Sequence, residues 1–409
     1  MKHKLLYIAA IVLLITGCRE KGDVYFDPND PQTMAYTTYA EQFEVIWRSM
    51  NMYYMFWSED KTDWDDVYYT MMPKFQALDA AYEADGTVAD SLTLTTYYQE
   101  VTHSLIDHHL AMVIKDVHAD SQYVFTPGKD EVLSREYTIG QKYDREHMQE
   151  AIASYEASKM LDAGQWGKMD DNINYFGIRT LDDGRKIAYL WQSGYQMVSA
   201  LATTEPKNDE ERMYINNIQA WLDMCLTETH LAGIILDNRC NRGGQAADLN
   251  VVVAPFIKER LHYADVRYKE GPGRYDYTDW IPVYVEPLPG MFRDIEAEDI
   301  PYIVLTNAFS VSMGEVSSEV IKHLPTGRMI GERTFGAEGR LYDYNTLYYN
   351  GTFGSLDAKH YVYTSSMQSR FVEEGQVEGI GITPTKVVYQ AEDGYLGAMN
   401  KAIDYIKGY

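Results

Sequence analysis

Cysteine is scarce in this chain, with three in 409 residues, so no disulfide framework can be the source of its stability. Positive charge is also short. Lys and Arg number 36 against 61 Asp and Glu, for a formal charge of −25, whereas a nucleic-acid surface needs basic side chains to neutralise phosphates. A nucleic-acid partner is therefore set aside. The apolar run from Leu5 to Ile15 is too short to span a bilayer comfortably. Neither G-x-x-x-x-G-K-[ST] nor G-x-G-x-x-G is present, which argues against a phosphate-binding loop, and H-E-x-x-H is missing too. No internal repeat or low-complexity tract stands out. What is there is 45% hydrophobic and 13% aromatic residues, enough for a substantial core over two or three domains and too much for a disordered chain.

The first eighteen residues carry a secretory signal: Lys2 and Lys4, the apolar run, then Ile15-Thr16-Gly17-Cys18. Small residues before a cysteine resemble the lipobox of bacterial lipoproteins, which would make Cys18 the lipidation site and tie the protein to a membrane. An ordinary signal peptide with an incidental cysteine is the alternative. Residues 19–35 read as a polar tether, since Gly22, Pro28, Asn29 and Pro31 sustain neither helix nor strand. Cys225 and Cys240 could pair in an oxidising compartment, but two cysteines in so long a chain more often pack as small hydrophobes.

Residues 36–115 read as a helical domain. Phe43, Ile46, Trp47, Met50, Tyr54 and Trp57 recur at helical spacing. Thr62-Asp63-Trp64-Asp65-Asp66 caps a second helix expected to end near Pro73, and a third runs from Ser91 to about Ile106. Asp107-His108-His109 follows, then a strand-like Leu110 to Ile114. Residues 116–172 read as a connector or remnant insert with a helix from Arg145 to Leu161. Residues 173–409 alternate apolar runs with helices, which predicts a mostly parallel, covered sheet in an α/β domain.

Four segments could carry chemistry. Asp237-Asn238-Arg239-Cys240-Asn241-Arg242-Gly243-Gly244 follows a buried strand, and its paired glycines allow a tight turn with N–H groups facing a ligand. It could equally be a plain strand-ending turn. Ser312 opens a helix after a second strand, where N–H groups and the helix dipole stabilise an oxyanion, although Ser312 and Glu315 also match an inert capping box. His108 and His109 could supply a general base or be structural, and zinc binding by His103, His108 and His109 lacks a recognisable spacing. Glu378, in Glu378-Gly379-Ile380-Gly381-Ile382-Thr383-Pro384, is either solvated or the orienting acid of a triad.

Taken in order, these segments resemble the serine peptidase family of C-terminal processing proteases and the tricorn core, family 41. The L-x-D-[SG]-H helix end is matched by Leu105 to His109, and D-x-R-x-N-x-G-G by Asp237, Arg239, Asn241, Gly243 and Gly244. S-x-x-E is matched by Ser312 to Glu315, I-G-E-x-T-x-G by Ile330 to Gly336, and E-x-x-G-[IV]-x-P-D by Glu378, Gly381, Ile382 and Pro384, with Thr385 in place of the aspartate. Two further departures bear on the chemistry. Ala337 stands where the processing proteases place a lysine base, and His108 stands where tricorn-like members carry a second serine.

The resemblance implies a crotonase/ClpP-like α/β domain preceded by a helical domain, with any PDZ module absent or reduced. It implies a serine-type endopeptidase acting on extended or unfolded peptides in the cell envelope, without metal or organic cofactor. Ser312 would be nucleophile and His109 base. Glu378, directly or through His108, would orient the base, and the amides of Met313 and of Gly243 or Gly244 would hold the oxyanion. A catalytically inactive peptide- or ligand-binding lipoprotein on the same fold, and a mainly structural envelope lipoprotein, are the rivals.

Overall fold

The computed structural model describes residues 30–293, 300–341, 351–355 and 358–409. The signal segment, Cys18 and most of the expected tether lie outside them.

Three helices come first: α1 (Tyr39–Tyr53), α2 (Trp64–Asp85) and α3 (Ser91–Thr102). Each has a side-chain N-cap, from Thr38, Asp63 and Asp90. Helix α2 differs from expectation by running through Pro73 to a left-handed Gly86. Trp64, Met71, Met72 and Phe75 are buried on both sides of the proline, and that packing outweighs the one lost backbone bond. Strands β1 (Ala111–Lys115) and β2 (Gln122–Phe125) follow, then α4 (Pro127–Ser134), α5 (Arg145–Ala157), β3 (Gln165–Met169), β4 (Asn172–Thr180) and β5 (Lys186–Gln192). Next come α6 (Met197–Ala202), α7 (Asp209–Thr227), β6 (Leu231–Asp237), α8 (Asp248–Val253), β7 (Leu261–Arg267) and β8 (Ile281–Val285). The chain ends with β9 (Tyr302–Thr306), α9 (Met313–Lys322), β10 (Gly327–Gly331), β11 (Phe353–Gly354), β12 (His360–Tyr363), β13 (Gln368–Phe371), β14 (Lys386–Val387) and α10 (Gln390–Gly408).

A seven-stranded sheet in the order β14-β10-β9-β6-β5-β4-β3 is the spine. Pairing is parallel from β14 to β5 and antiparallel from β5 to β3. Both faces are covered. Along β5, Ala188 and Leu190 join Tyr214, Ile218, Trp221 and Leu222 of α7 on one side. Ile187, Tyr189 and Trp191 alternate to the other side, against Ile152 and Tyr155 of α5 and Met399, Ala402 and Ile406 of α10. The mixed α/β fold with a helical N-terminal region is thus as expected.

The domain limits are less sequential than the sequence suggests. Strand β3 and the α5 contacts bring residues from 116–172 into the large sheet, and β11 and β12 return to pair with β1 in the order β11-β12-β1-β2. Phe353 and Val362 complete the aromatic core of the N-terminal helices. Segment 116–172 forms no sheet of its own, because β2 and β3 join different sheets. Cys225 and Cys240 are free and buried, in cores on opposite faces of the sheet. Among the described residues no helix is long and apolar enough to cross a membrane.

Candidate active site

Two turns at the carboxyl ends of the adjacent parallel strands β6 and β9 build the first half of the site. After β6, Arg239 folds back to pair with Asp237 inside the core, its Nε donating to Asp237 Oδ1 at 2.9 Å and its Nη2 to Oδ2. Asn241 then shapes the glycine turn: its Nδ2 donates to Gln192 O and its Oδ1 accepts from Gly243 N at 2.8 Å. Gly243 and Gly244 have φ of 86° and 141°. A Cβ on Gly243 would lie 2.6 Å from Ser312 Cβ, and one on Gly244 2.2 Å from Tyr195 O. Glycine is required at both by contact as well as by dihedral.

After β9, Ser310 Oγ donates to Asn238 O and accepts from Asn307 N, and Val311 N donates to Asn241 O. The two turns are therefore sewn together. Ser312 caps α9 with φ 55° and ψ −119°, a region that costs a non-glycine residue about 1–3 kcal/mol and persists where surroundings over-determine it. Glu315 supplies that constraint. Its carboxylate accepts from Ser312 N at 3.1 Å, Gly336 N at 2.6 Å and Ala337 N at 2.8 Å. The Ser312–Glu315 pair is thus more than a helix cap, since it also fixes the loop that carries Gly336 and Ala337. Among the described residues, the amides of Met313 and Gly244 make no hydrogen bond, whereas that of Gly243 is committed to Asn241.

The two histidines after α3 separate. His108 is buried and turned from Ser312: its Nδ1–H donates to Phe335 O at 2.8 Å and its backbone packs on Gly128, where a Cβ would come within 2.5 Å of His108 Cα. The same loop carbonyls accept from Arg135, Thr334 O at 2.7 Å and Phe335 O at 3.1 Å. Residues 128 and 135 of the supposed connector therefore brace this half of the site. His109 faces a cavity of about 630 Å³ that Ser312, Met313, Gly244, Glu338, Arg242 and Arg340 also line. Burial lowers its imidazole below the ordinary value, against the opposing pull of Asp107. No hydrogen bond joins Ser312 Oγ to His109. His103 lies elsewhere, exposed and held to Glu100 O, so the three histidines do not converge as zinc ligands would.

Glu378 is buried with both oxygens engaged: Oε1 accepts from His108 N at 2.9 Å, and Oε2 from Glu338 N at 2.8 Å and Gly339 N at 2.7 Å. Burial, then the charge of Asp107, pushes it well above the usual carboxylate range. Asp107, Glu378 and His109 bring ligand-type atoms within 4.8 Å of one another, a geometry that three metal ligands would share. Every carboxylate oxygen in that group already accepts an N–H or O–H from the chain, so the group as it stands fastens polypeptide segments. Two residues escaped the sequence. Ser365 places its Oγ 3.5 Å from His109 Nδ1, and Glu338 lines the cavity with both carboxylate oxygens unpaired among the described residues. Burial and the neighbouring Glu315 and Glu378 push Glu338 well above the usual carboxylate range. Neither belongs to a motif, and only the fold brings them to the site.

Two of the expected site residues are engaged elsewhere in this geometry: the Gly243 amide donates to Asn241 Oδ1, and the His108 ring is held by the Phe335 carbonyl beside Gly128 of α4.

Residues 209–388 match the model of peptidase family S41, which bears out the resemblance read from the motifs and supports a serine-peptidase hydrolase. In three dimensions the chain is similar to a structure described as a peptidase from Parabacteroides merdae, with a TM-score of 0.60 at 20% identity over 91% of this chain and 97% of that one. It is also similar to mature CPAF complexed with lactacystin, with a TM-score of 0.55 at 12% identity over 90% and 97% of the two chains. At these identities the likeness is one of fold. No curated protein matches by sequence.

Proposed function

We propose, with the match to peptidase family S41 as premise, that this chain is a serine-type endopeptidase of the cell envelope, anchored by lipid at Cys18. The observation that carries the reading is the strained, over-determined Ser312 on the cavity that His109 also faces. His109 takes the proton of Ser312 as Oγ attacks a peptide carbonyl, and later returns it to the leaving amine. The free amides of Met313 and Gly244 hold the oxyanion at the positive end of α9, a ten-residue helix. Glu378 acts on the base side through backbone: by holding His108 N it fixes the peptide from which the His109 ring projects. Unfolded or extended peptides are the substrates in this reading, bound in the cavity that Ser312 and His109 line.

The experiment is labelling of pure protein by a fluorophosphonate together with casein cleavage. Both are expected in wild type and lost in Ser312→Ala. A wild type that neither labels nor cleaves contradicts the reading. The missing bond between Ser312 Oγ and His109 favours the rival, a peptide-binding protein on the same fold, and the same assay decides between them.

A further inference from the structure

Asp107 lies at the centre of the base half, fully buried. Its Oδ1 accepts from His109 N at 2.9 Å and from Ser365 Oγ at 3.0 Å, and its Oδ2 from Ser365 N at 2.8 Å and from Thr364 Oγ1. One aspartate thus fastens the histidine segment to residues 364–365, the stretch between β12 and β13. Ser365 Oγ also stands 3.5 Å from His109 Nδ1, and Gly339 lies so close that a Cβ there would be 2.1 Å from that oxygen.

The direction of these bonds follows from what each group can do. A carboxylate only accepts, so the single Ser365 O–H proton points to Asp107. The Ser365 oxygen can then only accept from the imidazole. That makes Nδ1 the protonated nitrogen of His109 and leaves Nε2 with a lone pair, the tautomer a general base requires. Proton transfer from Ser312 creates an imidazolium, and the negative charge of Asp107 reaches it through one hydroxyl. Glu378 makes no hydrogen bond to the His109 ring; its oxygens accept from the amides of His108, Glu338 and Gly339.

We propose that Ser365 and Asp107 are positioning residues that hold the His109 tautomer and stabilise its protonated form, with Ser365 supplied from the distant connection between β12 and β13. The proposal rests on the assignment of His109 as base to Ser312. The ionisable groups around His109 are Asp107 and His108 on its own segment, Glu378 beside it, and Glu338, Arg242, Arg340 and Tyr363 around the cavity. Of these, only Asp107 connects to an imidazole nitrogen, through Ser365.

The test pairs kinetics with imidazole titration. In Ser365→Ala, Asp107 keeps three donors, so the fold should hold. kcat on a peptide substrate should fall about tenfold with KM within twofold, and the acid limb of kcat/KM should move to lower pH because the protonated imidazole has lost its partner. Ser365→Thr, which keeps the hydroxyl, should retain both. Nitrogen-15 spectra, with His109 assigned by comparison to His109→Gln, report the relay whether or not the protein turns over substrate. They should show Nδ1 protonated in neutral wild type and a lower imidazole pKa in Ser365→Ala. An Nε2-protonated wild type, or an imidazole pKa unmoved by Ser365→Ala, overturns the proposal, whereas failure of fluorophosphonate labelling counts against the peptidase reading alone.

Discussion

The two halves of the site are held in different ways. The half that carries Ser312, the proposed nucleophile, is made by neighbours: two turns at the ends of adjacent parallel strands, where Asn241 forms the glycine turn and Glu315 bonds back to Ser312 three residues away. The base half is made by strangers. Asp107 ties His109 to Ser365 across 258 residues of chain, and Glu378 ties His108 to Glu338 and Gly339. Short-range geometry gives Ser312 a strained seat, while the buried side chains of Asp107 and Glu378 fasten the His108–His109 segment, which carries the proposed base, to residues far along the chain. The nucleophile half should therefore fail chemically when altered, and the base half by coming loose.

The largest expected effect is on the first half. Ser312→Ala should reduce kcat by about 10³-fold or more while leaving the denaturation midpoint unchanged or slightly raised, since the side chain is replaced without burying a new group. A clear loss of stability in this variant would erase the distinction between the halves. On the other side, Asp107→Ala strips one acceptor from four donors, and should cost about 3 kcal/mol or more in urea unfolding, with activity lost along with the fold.

A smaller effect separates the adjacent histidines. His108→Gln should cost about 1–2 kcal/mol, through the lost bond to Phe335 O, and keep the pH–rate profile of wild type. The pH dependence of stability sharpens this further. Burial lowers both His108 and His109 below the ordinary imidazole value, so the unfolded chain binds more protons than the folded one once the pH drops under about 6.5. The stability they contribute is complete above that pH and is lost as the pH falls toward their folded values. Buried carboxylates with raised pKa, such as Glu338 and Glu378, work in the opposite sense in both proteins, so the readout is the difference: between pH 7.5 and 5 the urea midpoint of wild type should drop relative to that of His108→Gln.

The same division explains what the sequence could reveal. The parallel strands and the Ser312 turn are legible because apolar periodicity, capping residues and paired glycines act within a dozen residues. The continuation of α2 through Pro73 was not, because its reason is packing by Trp64, Met71, Met72 and Phe75 against partners far along the chain. Nor were Ser365 and Glu338 legible, since no local pattern marks a residue whose importance comes from what the fold brings beside it. The motif placed His108 and His109 together at the site, and only the Phe335 carbonyl and the cavity tell them apart.

That separation is where the account is most exposed, and the direct test is the rate of fluorophosphonate labelling at Ser312 in wild type, His109→Gln and His108→Gln. Labelling should collapse in His109→Gln and persist near the wild-type rate in folded His108→Gln. Persistence in His109→Gln with collapse in folded His108→Gln would contradict the assignment of the base and of the site built around it.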